Sequence, residues 1–288
     1  MILVTGATGQ LGRRIVDQLV ARRGGTAGLA VSVRDPARAA DLAERGISVR
    51  PGDFDQPAGL AAAFAGAEKI VLVSTDGPRE ARIAQHRNAI AAARQAGVGH
   101  IVYTSFIDVA ADSPAEFAAV HRTTEADLAA SGLKFTVLRN PLYADLLPMT
   151  VGAALATGVF QLPAGTGRAS FVSRAELAEA AAAAVLAPAL AKTVYELTGQ
   201  ATHDYSEVAA AIAKVTGKPV RYAAVSAADY TDALAGGGLP AWLAGALSTM
   251  YAAVAAGKFD RVSNDFAALV GHPPRPLACL VQELFGRN

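Results

Sequence analysis

The sequence predicts an α/β protein built on a doubly wound parallel sheet, with a smaller helix-rich lobe in its second half. In the first half, short apolar runs alternate with amphipathic helical stretches. These runs are almost wholly apolar, which is typical of parallel strands that helices cover on both faces. Hydrophobic residues make up 52% of the chain and charged residues 18%, as expected of a folded globular protein.

The elements of the first half follow one another as strand and helix. Leu11, Ile15 and Leu19 recur at four-residue spacing, which indicates the first helix. Gly46 suits the C-terminal end of the second helix, and Asp55 suits the cap of the third. The predicted strands are residues 2–5, 29–33, 47–50, 70–73, 101–104 and 135–138. The predicted helices are residues 12–22, 37–45, a helix that starts at 55–57, 78–96 and 114–131.

The second half of the chain is predicted to be mostly helical. Capping-box patterns at 173–176, 204–207 and 226–229 mark helix starts, and residues 194–197 and 220–222 are candidate strands. The prediction is therefore a sheet domain over residues 1–145. Residues 146–288 form a substrate lobe that partly returns to the sheet.

Composition excludes several classes of function. The formal net charge is +1, from 26 basic and 25 acidic residues, so we expect no nucleic-acid partner. Cys279 is the only cysteine, which excludes an intrachain disulfide and a cysteine-cluster metal site, and we expect no metal. No signal peptide is expected, and the alanine-rich stretches are too short for membrane insertion. These features favour a cytoplasmic location, and the apolar second half is compatible with a homodimer.

A glycine-rich loop connects the first strand to the first helix. Gly6 allows the sharp turn, Gly9 leaves room for a pyrophosphate, and Gly12 lets the helix pack closely on the strand. The helix N-terminus then offers N–H groups and partial positive charge to the phosphates. We expect the whole loop to bind a dinucleotide through Gly6, Ala7, Thr8, Gly9, Gln10, Leu11 and Gly12. The sequence thus predicts a Rossmann-type nicotinamide dinucleotide site in residues 1–145.

The end of the second strand indicates which dinucleotide is bound. An acidic side chain there bonds the ribose 2′-hydroxyl of NAD, whereas arginine accommodates the 2′-phosphate of NADP. Arg34 follows this strand directly, so we predict NADP(H) as the cofactor. Asp35 is the alternative, because NAD could bind if Asp35 rather than Arg34 faced the ribose.

Several segments resemble the NmrA-like branch of the atypical short-chain dehydrogenases/reductases. Within that branch they are most similar to the bacterial type 2 NADPH:quinone oxidoreductases and the triphenylmethane reductases. The resemblance runs to about His272 and so covers nearly the whole chain. It is carried by the segments Thr5–Gly12, Val33–Pro36, Gln85–Asn88, Tyr103–Ser105 and Leu138–Tyr143.

The resemblance implies further cofactor contacts. Asp53 would approach the adenine, and the loop after the fourth strand would line the adenosine ribose. The segment after the sixth strand would wrap the nicotinamide. All of these positions lie just past the ends of predicted strands, where open α/β sheets bind ligands. The residues concerned are Asp53, Ser74, Thr75, Asp76, Asn140, Pro141, Leu142 and Tyr143.

The chain lacks the catalytic pair of most short-chain dehydrogenases, a tyrosine followed four residues later by lysine. None of its seven tyrosines has lysine at that spacing. A ketone reductase needs an acid near the forming alkoxide, whereas a quinone or a dye cation accepts hydride without one. The sequence therefore favours direct hydride transfer from NADPH to a small-molecule acceptor of the quinone type, without flavin.

Tyr143 and His121 are the candidate catalytic residues. Tyr143 could cover the acceptor or donate a hydrogen bond to it, and His121 could donate a proton. Both also have structural interpretations, as a packing tyrosine and a capping or exposed histidine. Two other functions stay open: reduction of another electrophile, such as a triphenylmethane dye, an azo compound or an enone, and a non-catalytic NADP(H) sensor.

Overall fold

The computed structural model describes residues 1–286 of the 288-residue chain. Its strands are β1 (Ile2–Thr5), β2 (Leu29–Val33), β3 (Ser48–Pro51), β4 (Lys69–Leu72), β5 (His100–Phe106), β6 (Lys134–Asn140), β7 (Leu142–Tyr143), β8 (Val159–Leu162), β9 (Arg168–Ala169), β10 (Phe171–Val172), β11 (Val194–Glu196), β12 (His203–Asp204) and β13 (Arg221–Ala224). Its α-helices are α1 (Gln10–Arg23), α2 (Ala40–Glu44), α3 (Pro57–Phe64), α4 (Arg79–Gln95), α5 (Glu116–Ala130), α6 (Leu147–Val151), α7 (Ala154–Thr157), α8 (Arg174–Leu186), α9 (Tyr205–Thr216), α10 (Ala227–Gly236), α11 (Ala241–Ala255), α12 (Asp265–Val270) and α13 (Leu277–Phe285). Short 3₁₀ turns cover Pro36–Ala39 and Ala144–Leu146.

Seven strands form the central sheet, in the order β11-β6-β5-β4-β1-β2-β3. The pairs from β3 through β2, β1 and β4 to β5 are parallel. Strand order therefore reverses between β1 and β4, because β2 and β3 extend the sheet on one side and β4 and β5 on the other. This topology confirms the predicted doubly wound class, and ligands bind such sheets at the carboxyl ends of the strands where the order reverses.

The chain divides into two compact units that interleave in sequence. The first unit comprises residues 1–105, 120–139 and 174–195. The second comprises residues 106–119, 140–173 and the described residues from 196 onward. The division therefore does not fall at one boundary after residue 145, because a late segment of the chain completes the first unit.

That late segment, residues 174–195, contains α8, which packs against α1 within the first unit. Helix α8 is rich in alanine and buries most of its length, so two helices can approach closely there. Lys69 at the start of β4 donates to the carbonyl oxygens of Val185 and Ala187, each at 2.8 Å. These bonds satisfy carbonyl groups at the C-terminal end of α8 that the helix itself leaves unpaired.

The second unit has its own apolar core, centred on aromatic rings. Tyr205 lies edge-on to Phe160, Phe171 and Tyr251, with ring centroids 5.8 to 6.2 Å apart. The capping box predicted at the start of α9 is present, because Asp204 accepts from the backbone of Glu207 and Glu207 returns a bond. Three two-stranded sheets, β7 with β10, β8 with β13 and β9 with β12, complete this unit.

Two predictions at helix starts need correction. Asp55 does not cap α3, because Gln56 occupies the N-cap and makes no side-chain capping bond. Asp55 instead accepts from the side chain of Gln85. The second predicted helix begins as a 3₁₀ turn and becomes α-helical only at Ala40. Among the described helices, none has the length and apolar character needed to cross a membrane.

Candidate functional site

The glycine loop makes a tight turn between β1 and α1. Gly6 has a φ of 64°, a left-handed conformation that glycine adopts without strain. The N–H of Gly9 donates to the carbonyl oxygen of Gly6 at 2.9 Å and closes the turn. Gly9 is also the N-cap of α1 and has no side chain with which to cap the helix. The first backbone N–H groups of α1 are therefore available to an external acceptor.

Gly12 lies against the backbone of this turn. A Cβ atom built on Gly12 would lie 2.2 Å from the carbonyl oxygen of Gly6 and 2.6 Å from its carbonyl carbon. Both atoms belong to backbone, so no side chain can rotate out of the way. The close contact between helix and turn therefore requires glycine here.

The first turn of α1 has the charge character of an anion site. It carries no acidic residue, so the partial positive charge of the helix N-terminus is not neutralised locally. Arg14 donates to the carbonyl oxygen of Gln10 at 3.2 Å and remains close to this turn. A pyrophosphate would find both hydrogen-bond donors and favourable charge at this position.

Asp35, beyond the end of β2, has a structural role. Its Oδ1 accepts from the N–H of Ala37 at 3.1 Å and caps the 3₁₀ turn. Arg34 is exposed and makes no hydrogen bond or ion pair with another residue in the described part of the chain. The guanidinium is therefore available to a ligand, whereas the neighbouring carboxylate is engaged.

Arg13, unlike Arg34, already has a partner within the protein. It forms a two-bond ion pair with Asp41, at 2.6 and 2.8 Å. The hydrogen bond from Arg13 lowers the pKa of the Asp41 carboxyl. Of the basic residues in this region, Arg34 is thus better placed than Arg13 to meet a phosphate.

The loops after β3 and β4 hold the next predicted site residues. Asp53 accepts from the backbone N–H of Asp55 at 3.1 Å and orders its own loop. Ser74 donates its N–H to Thr104 at 2.9 Å, and Asp76 accepts from the N–H of Gly77. Both loops follow strands of the first unit, as the glycine loop does, so these residues lie at the same edge of one sheet.

Thr75 is held by a buried histidine of α4. The N–H of Thr75 donates to Nε2 of His86 at 3.0 Å, so Nε2 is unprotonated. The proton of this neutral imidazole is therefore on Nδ1, which lies 2.8 Å from the Thr124 hydroxyl. Burial, assisted by the charge of Arg82, lowers the pKa of His86 to about 3.

His121 lies inside the first unit, only 5% exposed. Arg82 can only donate, so Nε2 of His121 accepts from it at 3.2 Å, and Nδ1 donates to the Tyr103 hydroxyl at 2.8 Å. Burial, with the charges of Arg82 and His86, lowers the pKa of His121 well below its usual value. The structure thus places this candidate as a neutral, buried hydrogen-bond link.

Helix α5 carries an ion pair that the sequence analysis missed. Glu125 receives two bonds from Arg139, from Nε at 3.1 Å and from Nη2 at 2.7 Å. Ser105 also donates to Glu125, at 2.7 Å. Arg139 lies in the segment Leu138–Tyr143 that carries the family resemblance. Its partner Glu125 lies on another element, and no local spacing in the sequence relates the two residues.

In the second unit, Tyr143 lies beside Asn140. The side-chain amide of Asn140 donates to the Tyr143 hydroxyl oxygen at 3.1 Å. The backbone carbonyl oxygen of Asn140 accepts from the N–H of Ile107 at 2.9 Å. Leu142 and Tyr143 pair with Phe171 and Val172 as β7 and β10. The half-buried phenol is therefore oriented through its oxygen and through its backbone.

These features define a class of protein, the Rossmann-type dinucleotide-binding proteins. The defining features are the glycine turn at the strand-order reversal, the uncapped N-terminus of α1 and the unengaged arginine after β2. A family model described as NAD(P)H-binding matches residues 6–188, and the chain belongs to this family.

The chain is similar over its full length to known reductases. It is 39% identical over 288 residues to Quinone oxidoreductase 2 of Escherichia coli strain K12, and the match covers 100% of both chains. The crystal structure of an E. coli NADPH-dependent quinone oxidoreductase complexed with NADPH superposes with a TM-score of 0.93 at 38% identity, covering 99% of this chain and 100% of that chain. The Citrobacter sp. triphenylmethane reductase complexed with NADP(H) gives a TM-score of 0.92 at 33% identity, covering 99% and 100%.

The residues of the first unit fit NAD(P)H. The turn at Gly6 lies so close to α1 that Gly12 can carry no Cβ, and the helix N-terminus has no side-chain cap. Among the described residues, no group of three or more His, Cys, Asp or Glu side chains is arranged to hold a metal ion.

Proposed function

We propose that this protein is an NADPH-dependent reductase that transfers hydride directly to a quinone, without flavin and without a tyrosine–lysine pair. The observation that carries the proposal is the composition of α5, the helix on which that pair normally lies. Its buried histidine and the carboxylate of Glu125 are engaged in structural contacts, His121 with Tyr103 and Glu125 with Arg139. With neither of these groups available as an acid, the favoured acceptor is one that needs no proton during hydride transfer.

A quinone meets this requirement. It is a strong electrophile, and hydride transfer converts it to the stable monoanion of a hydroquinone, which takes one proton from water afterwards. NADPH, when bound, supplies the hydride. The contribution of the protein is then to hold the two reactants in the correct geometry, which can remove several kcal/mol of the barrier. Full-length similarity to the E. coli quinone oxidoreductases supports this assignment.

The preference for NADPH over NADH rests on Arg34. Its guanidinium is exposed and unengaged, whereas Asp35 caps the following turn. Charge-assisted bonds from arginine to a phosphate contribute about 1.5–3 kcal/mol each. We therefore place the 2′-phosphate against Arg34. The pyrophosphate lies against Gly6–Gly12, and the adenosine lies near Asp53 and Ser74–Asp76.

At the acceptor end, Tyr143 is the stronger of the two catalytic candidates. Asn140 donates to the phenol oxygen at 3.1 Å and so orients the phenol. We propose that Asn140–Tyr143 line the nicotinamide and that Tyr143 covers or hydrogen-bonds the acceptor. His121 receives no proton-donor role, because both its ring nitrogens are bonded inside the first unit.

A second acceptor class is a triphenylmethane dye cation. Such a cation needs a hydride and no proton, and the chain is 33% identical to a Citrobacter triphenylmethane reductase over 99% of its length. Azo compounds and enones belong to the same alternative. A non-catalytic NADP(H) sensor is the alternative without chemistry.

The cellular setting is also a proposal. The single cysteine excludes an intrachain disulfide, which favours a reducing compartment such as the cytoplasm. A homodimer is compatible with the apolar second unit, and sedimentation of the purified protein would decide its oligomeric state.

The test is the oxidation of NADPH by a simple quinone, followed as loss of absorbance with purified, flavin-free protein. We expect turnover with NADPH well above turnover with NADH. Turnover with a dye cation but not with a quinone would support the alternative acceptor. Tight NADP(H) binding without turnover on any acceptor would support the sensor and overturn the reductase.

A further inference from the structure

Three polar residues of α4 contact the loops after β3 and β4. They are Gln85, His86 and Asn88, and they belong to one segment of four residues. None of them takes part in the proposed chemistry. Both loops carry predicted cofactor residues, Asp53 in one and Ser74–Asp76 in the other.

His86 fixes the loop after β4 by a chain of oriented hydrogen bonds. The Thr75 N–H donates to Nε2 at 3.0 Å, and Nδ1–H donates to the hydroxyl of Thr124 at 2.8 Å. Thr124 in turn donates to the carbonyl oxygen of Val120 at 2.9 Å, one turn earlier in α5. In this series of hydrogen bonds each donor has one acceptor, so the imidazole has a single tautomer and a fixed orientation.

Asn88 and Gln85 fix the loop after β3. The Asn88 amide donates to the carbonyl oxygen of Phe54 at 2.8 Å, and the Gln85 amide lies 3.0 and 3.1 Å from the two oxygens of Asp55. Asp53 immediately precedes these two residues. One rigid helix therefore holds the backbone of two neighbouring loops.

We propose that this face of α4 shapes the adenosine side of the dinucleotide site and that His86 and Asn88 are positioning residues for the cofactor. The inference rests on the proposed cofactor site. Neither side chain needs to touch the ligand, because each acts through the backbone of a loop that does. Preordering a binding loop reduces the entropy that the ligand must otherwise overcome.

The two kinds of contribution to binding have different signatures. Arg34 meets the 2′-phosphate, so its loss weakens NADPH and leaves NADH nearly unchanged. The α4 residues order loops that both dinucleotides share, so their loss weakens NADPH and NADH by the same factor. This difference separates positioning from recognition of the phosphate.

The experiment is a binding titration of NADPH and NADH against His86→Leu and His86→Gln, with thermal unfolding of each apo-protein. Leucine removes the acceptor for the Thr75 N–H, and we expect both dissociation constants to rise about tenfold. Glutamine offers an amide oxygen near the place of Nε2, and we expect it to restore both constants to within about threefold of the parent. Arg87→Ala is the matched control, because Arg87 lies on the exposed side of the same helix and pairs with Asp127.

Asn88→Ala provides a second test if His86→Leu does not fold, because Asn88 is only half-buried. We expect it to weaken both dinucleotides by about fivefold. Unchanged dissociation constants in variants that only lose thermal stability would overturn the inference. A parent protein that binds neither dinucleotide would instead refute the proposed function itself, so the two failures are distinguishable.

Discussion

At the scale of single residues, we propose that the preference for NADPH depends on the different hydrogen bonding of two neighbouring charged side chains. The side chain of Asp35 is turned back onto the N–H of Ala37, where it caps a turn. Arg34 has no such partner among the described residues and extends into solvent. Because the guanidinium of Arg34 has no partner to give up, binding a phosphate breaks no existing hydrogen bond.

Arg34→Ala should therefore raise the dissociation constant for NADPH roughly ten- to a hundredfold and change that for NADH little. The measurement is a fluorescence titration with each dinucleotide. Arg13→Ala serves as the control, because Arg13 is already paired with Asp41. Equal losses of NADPH and NADH affinity in Arg34→Ala would remove Arg34 from the phosphate site.

The partly buried ion pair of Glu125 is expected to contribute to the stability of the fold. Glu125 accepts from Arg139 and Ser105, and the two charged side chains are only 14% and 21% exposed. Glu125→Ala should lower the free energy of unfolding by about 2–4 kcal/mol, because it leaves a half-buried guanidinium without this carboxylate. The matched control is Asp127→Ala, which removes an exposed pair with Arg87 and should cost less than about 1 kcal/mol. Urea unfolding compares them, and equal costs would argue against a special role for the α5 pair.

At the scale of elements, the glycine turn and α1 act as one piece. The helix can begin where it does only because its third residue presents no Cβ to the carbonyl group of Gly6. We propose that the same close contact directs the N–H groups at the start of the helix toward the pyrophosphate of a bound dinucleotide. The absence of a Cβ atom at Gly12 would then serve both packing and ligand binding.

Gly12→Ala should lower the free energy of unfolding by about 1–3 kcal/mol and weaken NADPH binding, because α1 must move away from the turn. Gly59→Ala is the control: Gly59 lies in α3 with no atom within 4 Å of a built Cβ. Alanine there should be neutral or stabilising by up to about 1 kcal/mol. Chemical unfolding and cofactor titration measure both effects, and tolerance of Gly12→Ala would contradict the close-contact argument.

Elements with strong local signals could be predicted from sequence. The bounds of β1 and β2 agree with prediction, and the Asp204 capping box is present. The bonds of His86 and the pairing of Glu125 could not be predicted, because their partners lie on other elements and no local spacing relates them. The cap expected of Asp55 was wrong for the same reason, since the side chain of Gln85 binds that carboxylate.

At the scale of the whole molecule, buried neutral histidines make stability depend on pH. The folded state lowers the pKa of His86 to about 3 and that of His121 well below 6.5, mainly by burial and with Arg82 as the facing charge. An unfolded histidine titrates near 6.5, so below that pH the unfolded chain binds more protons than the folded one. Stability is therefore fully present above about pH 6.5 and declines as the pH falls toward 3.

The free energy of unfolding should fall by up to about 1.4 kcal/mol per pH unit for each of these histidines between pH 6 and pH 4. Denaturant unfolding at several pH values measures the slope. His86→Gln removes one titrating group and should reduce the slope by about half. A slope that stays the same in this variant would mean that other groups, such as the ion-paired carboxylates, govern the acid sensitivity.

The packing of α8 on α1 has a consequence for the order of events during synthesis. Residues 1–145 leave the ribosome before the segment 174–195, which contains α8, the helix that packs against α1. The first unit therefore cannot complete its packing during synthesis until this later segment has emerged. Nascent chains arrested just before and just after the emergence of residue 195 should differ sharply in protease resistance.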